Sequence, residues 1–215
     1  VLICPDQRYP LRSNASQIGR CGVELERLTD ALRKVILQQA VIHADETPVT
    51  IMRMDDKDKK PKKGYVWAYA TTQYNPVQAV IYDFQDSRSG EHAEAFLKDW
   101  QGHLVCDDYS GYKARFRSGK VIEVGCMAHA RRKFHELHVT GKSQIAEQAL
   151  FLIQKLYAIE AEIRKNTDGT AEQRYKYRQQ YSQAVMQQLY EWLTQHQLAV
   201  PSSSATAKAI NYSLK

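Results

Sequence analysis

Short apolar runs separated by polar turns occupy the middle of the chain, and they predict strands over 41–45, 65–72, 77–84, 104–107 and 121–125. Apolar residues at helical spacing predict helices over 22–40, 87–100 and 128–137. Three strands, a helix, a strand, and then another strand and helix fit a mixed sheet flanked by helices. The pattern therefore predicts an α/β core.

The last third of the chain has a different pattern. Helical spacing continues over 143–198 and is interrupted only at 166–170, which predicts an antiparallel helical hairpin. Residues 205–215 begin another helix. We therefore divide the chain into an N-terminal polar segment and helix at 1–40, a core at 41–139, and a helical insertion with the start of a truncated helix at 140–215. We expect no clear element before residue 22.

Composition narrows the possible functions. The chain has 215 residues and a net charge of +6, which favours an anionic partner such as nucleic acid. No apolar run approaches the roughly 20 residues of a membrane helix, and we expect no membrane partner and no signal peptide. The four cysteines form no Cys-x-x-Cys pair, which is typical of a reduced, cytoplasmic setting.

Two of the predicted strands end on an acid. Asp45 ends the run that begins at Val41, and Asp107 ends the run that begins at Leu104. A carboxylate at the end of a buried strand is costly unless something compensates its charge, and a divalent cation does so because hard cations take oxygen ligands. On a basic chain, this pair suggests metal-dependent phosphodiester chemistry. Taken alone, Asp45 could equally be a turn acid.

The acids next to these two receive a different interpretation. Glu46 and Asp108 follow Asp45 and Asp107 directly, and side chains alternate in direction along an extended strand. We therefore do not assign them to the metal, although irregular strand ends leave Asp108 as an alternative.

Basic residues cluster where the last predicted strand leads into a helix. Within one or two turns the chain carries His129, Arg131, Arg132 and Lys133. Clustered cations at a helix N-terminus suit phosphate, so these four are candidates for nucleic-acid binding. A solvated basic face is the alternative, and His129 could simply be a packed or capping residue. Cys126 and three histidines could also form a zinc cluster, but a buried cysteine at a basic helix start is favoured.

Four stretches together resemble the transposases of the IS66 insertion-sequence family. They are His43–Val49 (HADETPV), Ser87–His92 (SRSGEH), Asp107–Tyr112 (DDYSGY) and Gly125–Phe134 (GCMAHARRKF). The resemblance covers roughly residues 35 to 215. It implies a DDE-type enzyme with a ribonuclease-H-like fold, in which three acids hold Mg²⁺ or Mn²⁺.

The resemblance also implies roles and partners. Asp45 matches the first acid and Asp107 the second, as catalytic residues and metal ligands. The implied reaction is hydrolysis at transposon ends followed by strand transfer into target DNA. The implied setting is a homo-oligomer on DNA in the bacterial cytoplasm, associated with the nucleoid.

The chain departs from the family pattern at two places. The third acid of the family, a glutamate, lies beyond the helical insertion, and we expect the chain to end at Lys215 before reaching it. Cys4 and Cys21 do not form the cysteine-paired region that family members carry ahead of the first acid. We therefore expect a fragment that binds metal poorly by itself and cleaves slowly or not at all.

Two other functions stay open. One is another ribonuclease-H-like nuclease, although the helical hairpin and the Gly125–Phe134 stretch disfavour it. The other is a non-catalytic DNA-binding or assembly module that kept the fold and lost the chemistry, for which the missing third acid is the best support.

Overall fold

A computed structural model describes residues 11–51, 62–166 and 169–215. These residues form two compact units. The first runs to Leu104 and resumes at Gly111–Ile122, and the second comprises Val105–Ser110 and Glu123–Lys215. The charged stretch between the first two predicted strands, residues 55–63, lies mostly outside the described residues.

The first unit is built on a five-stranded sheet. Its strands are β1 (Val41–Ile51), β2 (Lys62–Ala70), β3 (Val80–Gln85), β4 (Gly102–Cys106) and β5 (Val121–Gly125), in the order β3-β2-β1-β4-β5. Both β1 with β2 and β2 with β3 pair antiparallel, and Glu46 lies opposite Trp67. The α/β class is confirmed, whereas the ribonuclease-H-like assignment stays a prediction.

Strand β1 is longer than the apolar run predicted. It was expected to end at Asp45, but it continues to Ile51 in register with β2. The extra residues include Thr47, Val49 and Thr50, whose type fits a pleated strand, and Pro48, whose missing N–H normally keeps proline out of a central ladder. Asp45 therefore lies within a strand rather than at its end.

Three helices accompany the sheet: α1 (Leu11–Leu37), α2 (Gly90–Leu97) and α3 (Lys113–Phe116). Helix α1 corrects the expectation that residues before 22 hold no clear element, because it begins at Leu11. Near its C-terminal end Ile36 is buried, whereas Leu25 and Leu28 are exposed. An apolar face at helical spacing thus indicated the helix but not how much of it is covered.

The core of the first unit is aromatic. Trp67 and Tyr69 are fully buried. Tyr69 stacks on Phe96 with ring centroids 3.7 Å apart. The apolar residues of the helix predicted over 87–100 are buried, although the helix itself ends at Leu97: they are Ala93, Phe96, Leu97 and Trp100. This core fixes the strands that carry the candidate site.

The second unit is helical apart from the ends of β4 and β5. Its helices are α4 (Met127–Gly141), α5 (Gln144–Asn166), α6 (Ala171–Tyr177), α7 (Gln183–Ala199) and α8 (Ala205–Ser213), with a π-helical segment, Arg178–Ser182, between α6 and α7. Their buried residues form one cluster that includes Phe134, Ile153, Leu189 and Ile210. The predicted helical hairpin is therefore confirmed, with α5 as its first arm. Among the described residues, no helix is both long enough and apolar enough to cross a bilayer.

Candidate active site

The side chains of β1 alternate sharply around the first candidate acid. Ala44 and Glu46 are buried, whereas Asp45 between them is exposed. One carboxylate oxygen of Asp45, Oδ1, accepts the backbone N–H of Glu46 at 3.0 Å. The prediction that Asp45 and Glu46 face opposite ways is therefore confirmed.

Glu46 is the centre of a buried polar network. Its side chain is fully buried, and Oε1 accepts from both Nε and Nη2 of Arg88, the former at 3.0 Å. The other oxygen, Oε2, accepts the hydroxyl of Tyr112 at 2.8 Å. A buried carboxylate is tolerated when it is paired and hydrogen-bonded in this way. Glu46 thus has a structural partner on each oxygen.

The second candidate acid lies in the second unit. Asp107 directly follows β4 and is half-buried, and its Oδ1 accepts the backbone N–H of Tyr109 at 2.9 Å. This bond, from an aspartate to the N–H two residues on, is the Asx-turn that the residue type favours. The next residue, Asp108, forms an ion pair with Lys215.

Helix α8 lies beside this acidic segment within the second unit. Burial, and then the nearby Asp107, raises the pKa of the Tyr212 hydroxyl to about 12. Lys133 lies over the Tyr212 ring, with Nζ 4.5 Å from the ring centroid. Tyr212 therefore connects the acidic segment with the basic stretch of α4.

The four residues predicted to bind nucleic acid lie in the first two turns of α4. Arg131 and Arg132 are exposed and line a groove of about 780 Å³ together with Ala128, His135, Leu150, Gln154 and Tyr157. Lys133 instead contacts Tyr212, and His129 is half-buried in the first turn of α4. Two of the four thus line the groove, and nucleic-acid binding by all four stays a prediction.

The candidate acids can be compared with what a divalent metal ion needs, namely the type and the number of its ligands. Carboxylate oxygens of the kind that Asp45 and Asp107 carry are the ligands that Mg²⁺ and Mn²⁺ prefer. However, nowhere in residues 11–51, 62–166 and 169–215 do three or more His, Cys, Asp or Glu residues form a group that could hold a metal ion. The two acids fit by type, and a complete ligand set needs a further donor.

Sequence reasoning did not find the partners of Glu46. Arg88 and Tyr112 lie 42 and 66 residues away from it, in two of the four family-like stretches. One signal was available in the sequence. An acid on the inner face of a strand needs a buried partner, and these two stretches contain an arginine and a tyrosine that could serve. The distance along the chain hid which residues would meet.

Comparisons with known proteins agree with the motifs. The family model described as "Transposase IS66 family" matches residues 12–215. The uncharacterised protein y4qI of Sinorhizobium fredii is 33% identical over 211 residues, which are 93% of this chain and 38% of that protein. The uncharacterised protein y4jD of the same organism is 36% identical over 88% of this chain and 38% of its own length. The chain thus spans about two-fifths of the length of these relatives.

Proposed function

Since this chain belongs to the IS66 family of transposases, we propose that it carries two acids of a metal-dependent DNA strand-transfer site. Asp45 and Asp107 would bind Mg²⁺ or Mn²⁺ through their carboxylate oxygens, with a further donor needed to complete the site. A divalent ion bound there supplies Lewis acidity for in-line displacement at phosphorus. The substrates would be transposon ends and target DNA.

One observation supports this proposal most strongly. On the same strand, Glu46 is buried and bound by Arg88 and Tyr112, whereas its neighbour Asp45 is exposed. A strand acid directed away from the core, next to one that the core uses, is suited to hold an exogenous cation.

The residues of the groove would contribute DNA affinity. Arg131 and Arg132 present guanidinium groups to solvent from α4, and the groove also offers the polar groups of Gln154 and Tyr157. Guanidinium groups bind phosphate oxygens through paired N–H donors, which positions a duplex without reading its sequence. We therefore propose that the groove binds the DNA backbone, with His129 and Lys133 as further candidate contacts on the same helix.

A non-catalytic role in DNA binding or assembly is the second candidate. The observation that favours it is the lack, among the described residues, of a group of three metal-binding side chains. Such a chain would bind DNA through the same groove and would not respond to divalent ions.

Metal binding separates the two candidates. We would titrate the chain with Mn²⁺ and follow the free ion by electron paramagnetic resonance, for the wild type, Asp45→Asn and the matched control Asp99→Asn, an exposed aspartate outside the site. The proposal predicts measurable binding that Asp45→Asn reduces by about tenfold or more and that Asp99→Asn leaves unchanged. Equal binding by the wild type and Asp45→Asn would favour the non-catalytic role.

A further inference from the structure

The buried network around Glu46 connects three separate stretches of the chain. Glu46 lies on β1, Arg88 comes from the segment before α2, and Tyr112 ends the short 3₁₀ turn Ser110–Tyr112. Each of these stretches carries a family-like motif. A single fully buried carboxylate therefore holds all three of them together.

Ring contacts fix the network from one side. Trp67, which lies opposite Glu46 in the sheet, packs edge-on against Tyr112 with centroids 5.8 Å apart. It packs edge-on against His92 as well, at 6.1 Å, and His92 lies 2.7 Å from the Ser87 hydroxyl. The orientation of the Tyr112 hydroxyl is thus set by packing as well as by its hydrogen bond.

Backbone contact fixes it from another side. A Cβ added at Gly90 would lie 2.5 Å from the carbonyl oxygen of Gly111, so only glycine permits this approach. The first residue of α2 therefore lies directly against the residue before Tyr112. Gly90 is two residues from Arg88, and Gly111 is one residue from Tyr112. This backbone contact therefore holds Arg88 and Tyr112 at a fixed separation.

Asp45 is attached directly to this rigid assembly. It precedes Glu46 in the chain, and its Oδ1 accepts the Glu46 N–H, so the rotamer of Asp45 depends on the backbone that the network holds. We infer that Glu46, Arg88 and Tyr112 are positioning residues that fix the direction of the Asp45 carboxylate for metal binding. This inference rests on the proposed function of Asp45, and it gives the Ser87–His92 and Ser110–Tyr112 stretches a role other than contact with substrate.

Tyr112→Phe tests the inference, because it removes one hydroxyl and keeps the ring that packs on Trp67. Tyr82→Phe is the matched control, since Tyr82 is 70% exposed on β3. Two quantities are measured well below the unfolding temperature: amide hydrogen exchange of the peptide that covers β1, and Mn²⁺ affinity. We expect Tyr112→Phe to speed exchange around residues 44–47 and to weaken Mn²⁺ binding by about tenfold, as loss of an outer-shell partner typically does.

Glu46→Gln provides a second variant of the same shape, and Arg88→Lys keeps the charge but not the two-pronged contact. Both should change exchange and affinity in the same direction as Tyr112→Phe. A merely structural network would lower the unfolding temperature of these variants without changing the Mn²⁺ affinity of the folded protein.

The outcomes separate this inference from the proposed function. Unchanged exchange or unchanged affinity in Tyr112→Phe, while Asp45→Asn abolishes Mn²⁺ binding, would overturn the positioning role alone. Unchanged Mn²⁺ binding in Asp45→Asn would overturn the proposed function and the positioning role with it. The inference would be supported if Tyr112→Phe showed faster amide exchange and weaker Mn²⁺ binding while Tyr82→Phe showed no change in either quantity.

Discussion

The Glu46 network in the first unit and the arginine groove in the second use charge in opposite ways. Glu46 is removed from water and has partners on both carboxylate oxygens, so its energy depends on every partner being present. Arg131 and Arg132 stay in water, where a charge contributes little to folding but remains available to an anion. We conclude that the buried charge of Glu46 specifies structure, whereas the exposed charges of Arg131 and Arg132 are suited to binding.

The strongest test of this comparison is Glu46→Ala. It removes the acceptor that Glu46 offers to the Arg88 guanidinium and the Tyr112 hydroxyl, and breaking a buried pair from one side typically costs about 3–5 kcal/mol. Because the Arg88 side chain is 42% exposed and can be hydrated, we expect about 3 kcal/mol, the low end of that range. Urea unfolding followed by circular dichroism measures it. A cost below about 1 kcal/mol, as for an ordinary surface residue, would contradict the buried-network description.

Tyr112→Phe should have a smaller effect on stability. It removes one hydrogen bond to a charged acceptor and leaves Arg88 paired, so we expect a loss of about 1.5 kcal/mol in the free energy of unfolding. The same unfolding measurement checks it, with the exposed Tyr82→Phe as the reference. Equal stability of the two variants would mean that the Tyr112 hydroxyl is satisfied by water.

Tyr212 lies between the two extremes, since it is partly buried beside Asp107. An unfolded tyrosine loses its proton near pH 10, whereas the raised pKa keeps the Tyr212 proton in the folded state until about pH 12. The free energy of unfolding therefore keeps its full value below pH 10 and falls as the pH rises through this window. Tyr212→Phe should flatten that fall, as measured by urea unfolding at several alkaline pH values. An identical pH dependence in wild type and variant would show that Tyr212 does not titrate this late.

The groove arginines should have the smallest effect on folding. Arg131→Ala and Arg132→Ala should each change the free energy of unfolding by less than about 0.5 kcal/mol. Each should weaken duplex binding and reduce the slope of log affinity against log salt by about one, whatever the sequence. Fluorescence anisotropy at several salt concentrations measures the slope, with exposed Lys142→Ala, at the C-terminal end of the same helix, as a control. An unchanged slope in both arginine variants would remove the groove from the DNA-binding surface.

Local pattern was enough to predict most elements of the fold. The strand at Val121–Gly125 has the predicted bounds, and the predicted apolar face of α2 is buried. The local pattern did not predict where β1 ends or where α1 begins. Pairing with β2 carries β1 on to Ile51, and α1 extends back to Leu11 although Ile18 and Val23 on it are exposed.

The candidate site divides in the same way. Alternation along a strand placed Asp45 and Glu46 on opposite faces, because that property is set by the backbone alone. The pairing of Glu46 with Arg88 and Tyr112 depends on chain reversals across 42 and 66 residues, which no local period encodes. The contact between Lys133 and the Tyr212 ring likewise joins α4 to α8, which lie far apart in the chain.

We propose that Asp45 and Asp107 bind the same divalent ion, and a double-mutant cycle on Mn²⁺ affinity shows whether they do. The four proteins are the wild type, Asp45→Asn, Asp107→Asn and the double variant, each titrated with Mn²⁺ under identical conditions. If the two carboxylates share an ion, each single variant loses most of the affinity and the double variant loses little more. The proposal of a shared ion would be wrong if the losses in Mn²⁺ binding free energy of the two single variants simply added in the double variant. It would also be wrong if the single variants bound Mn²⁺ as the wild type does.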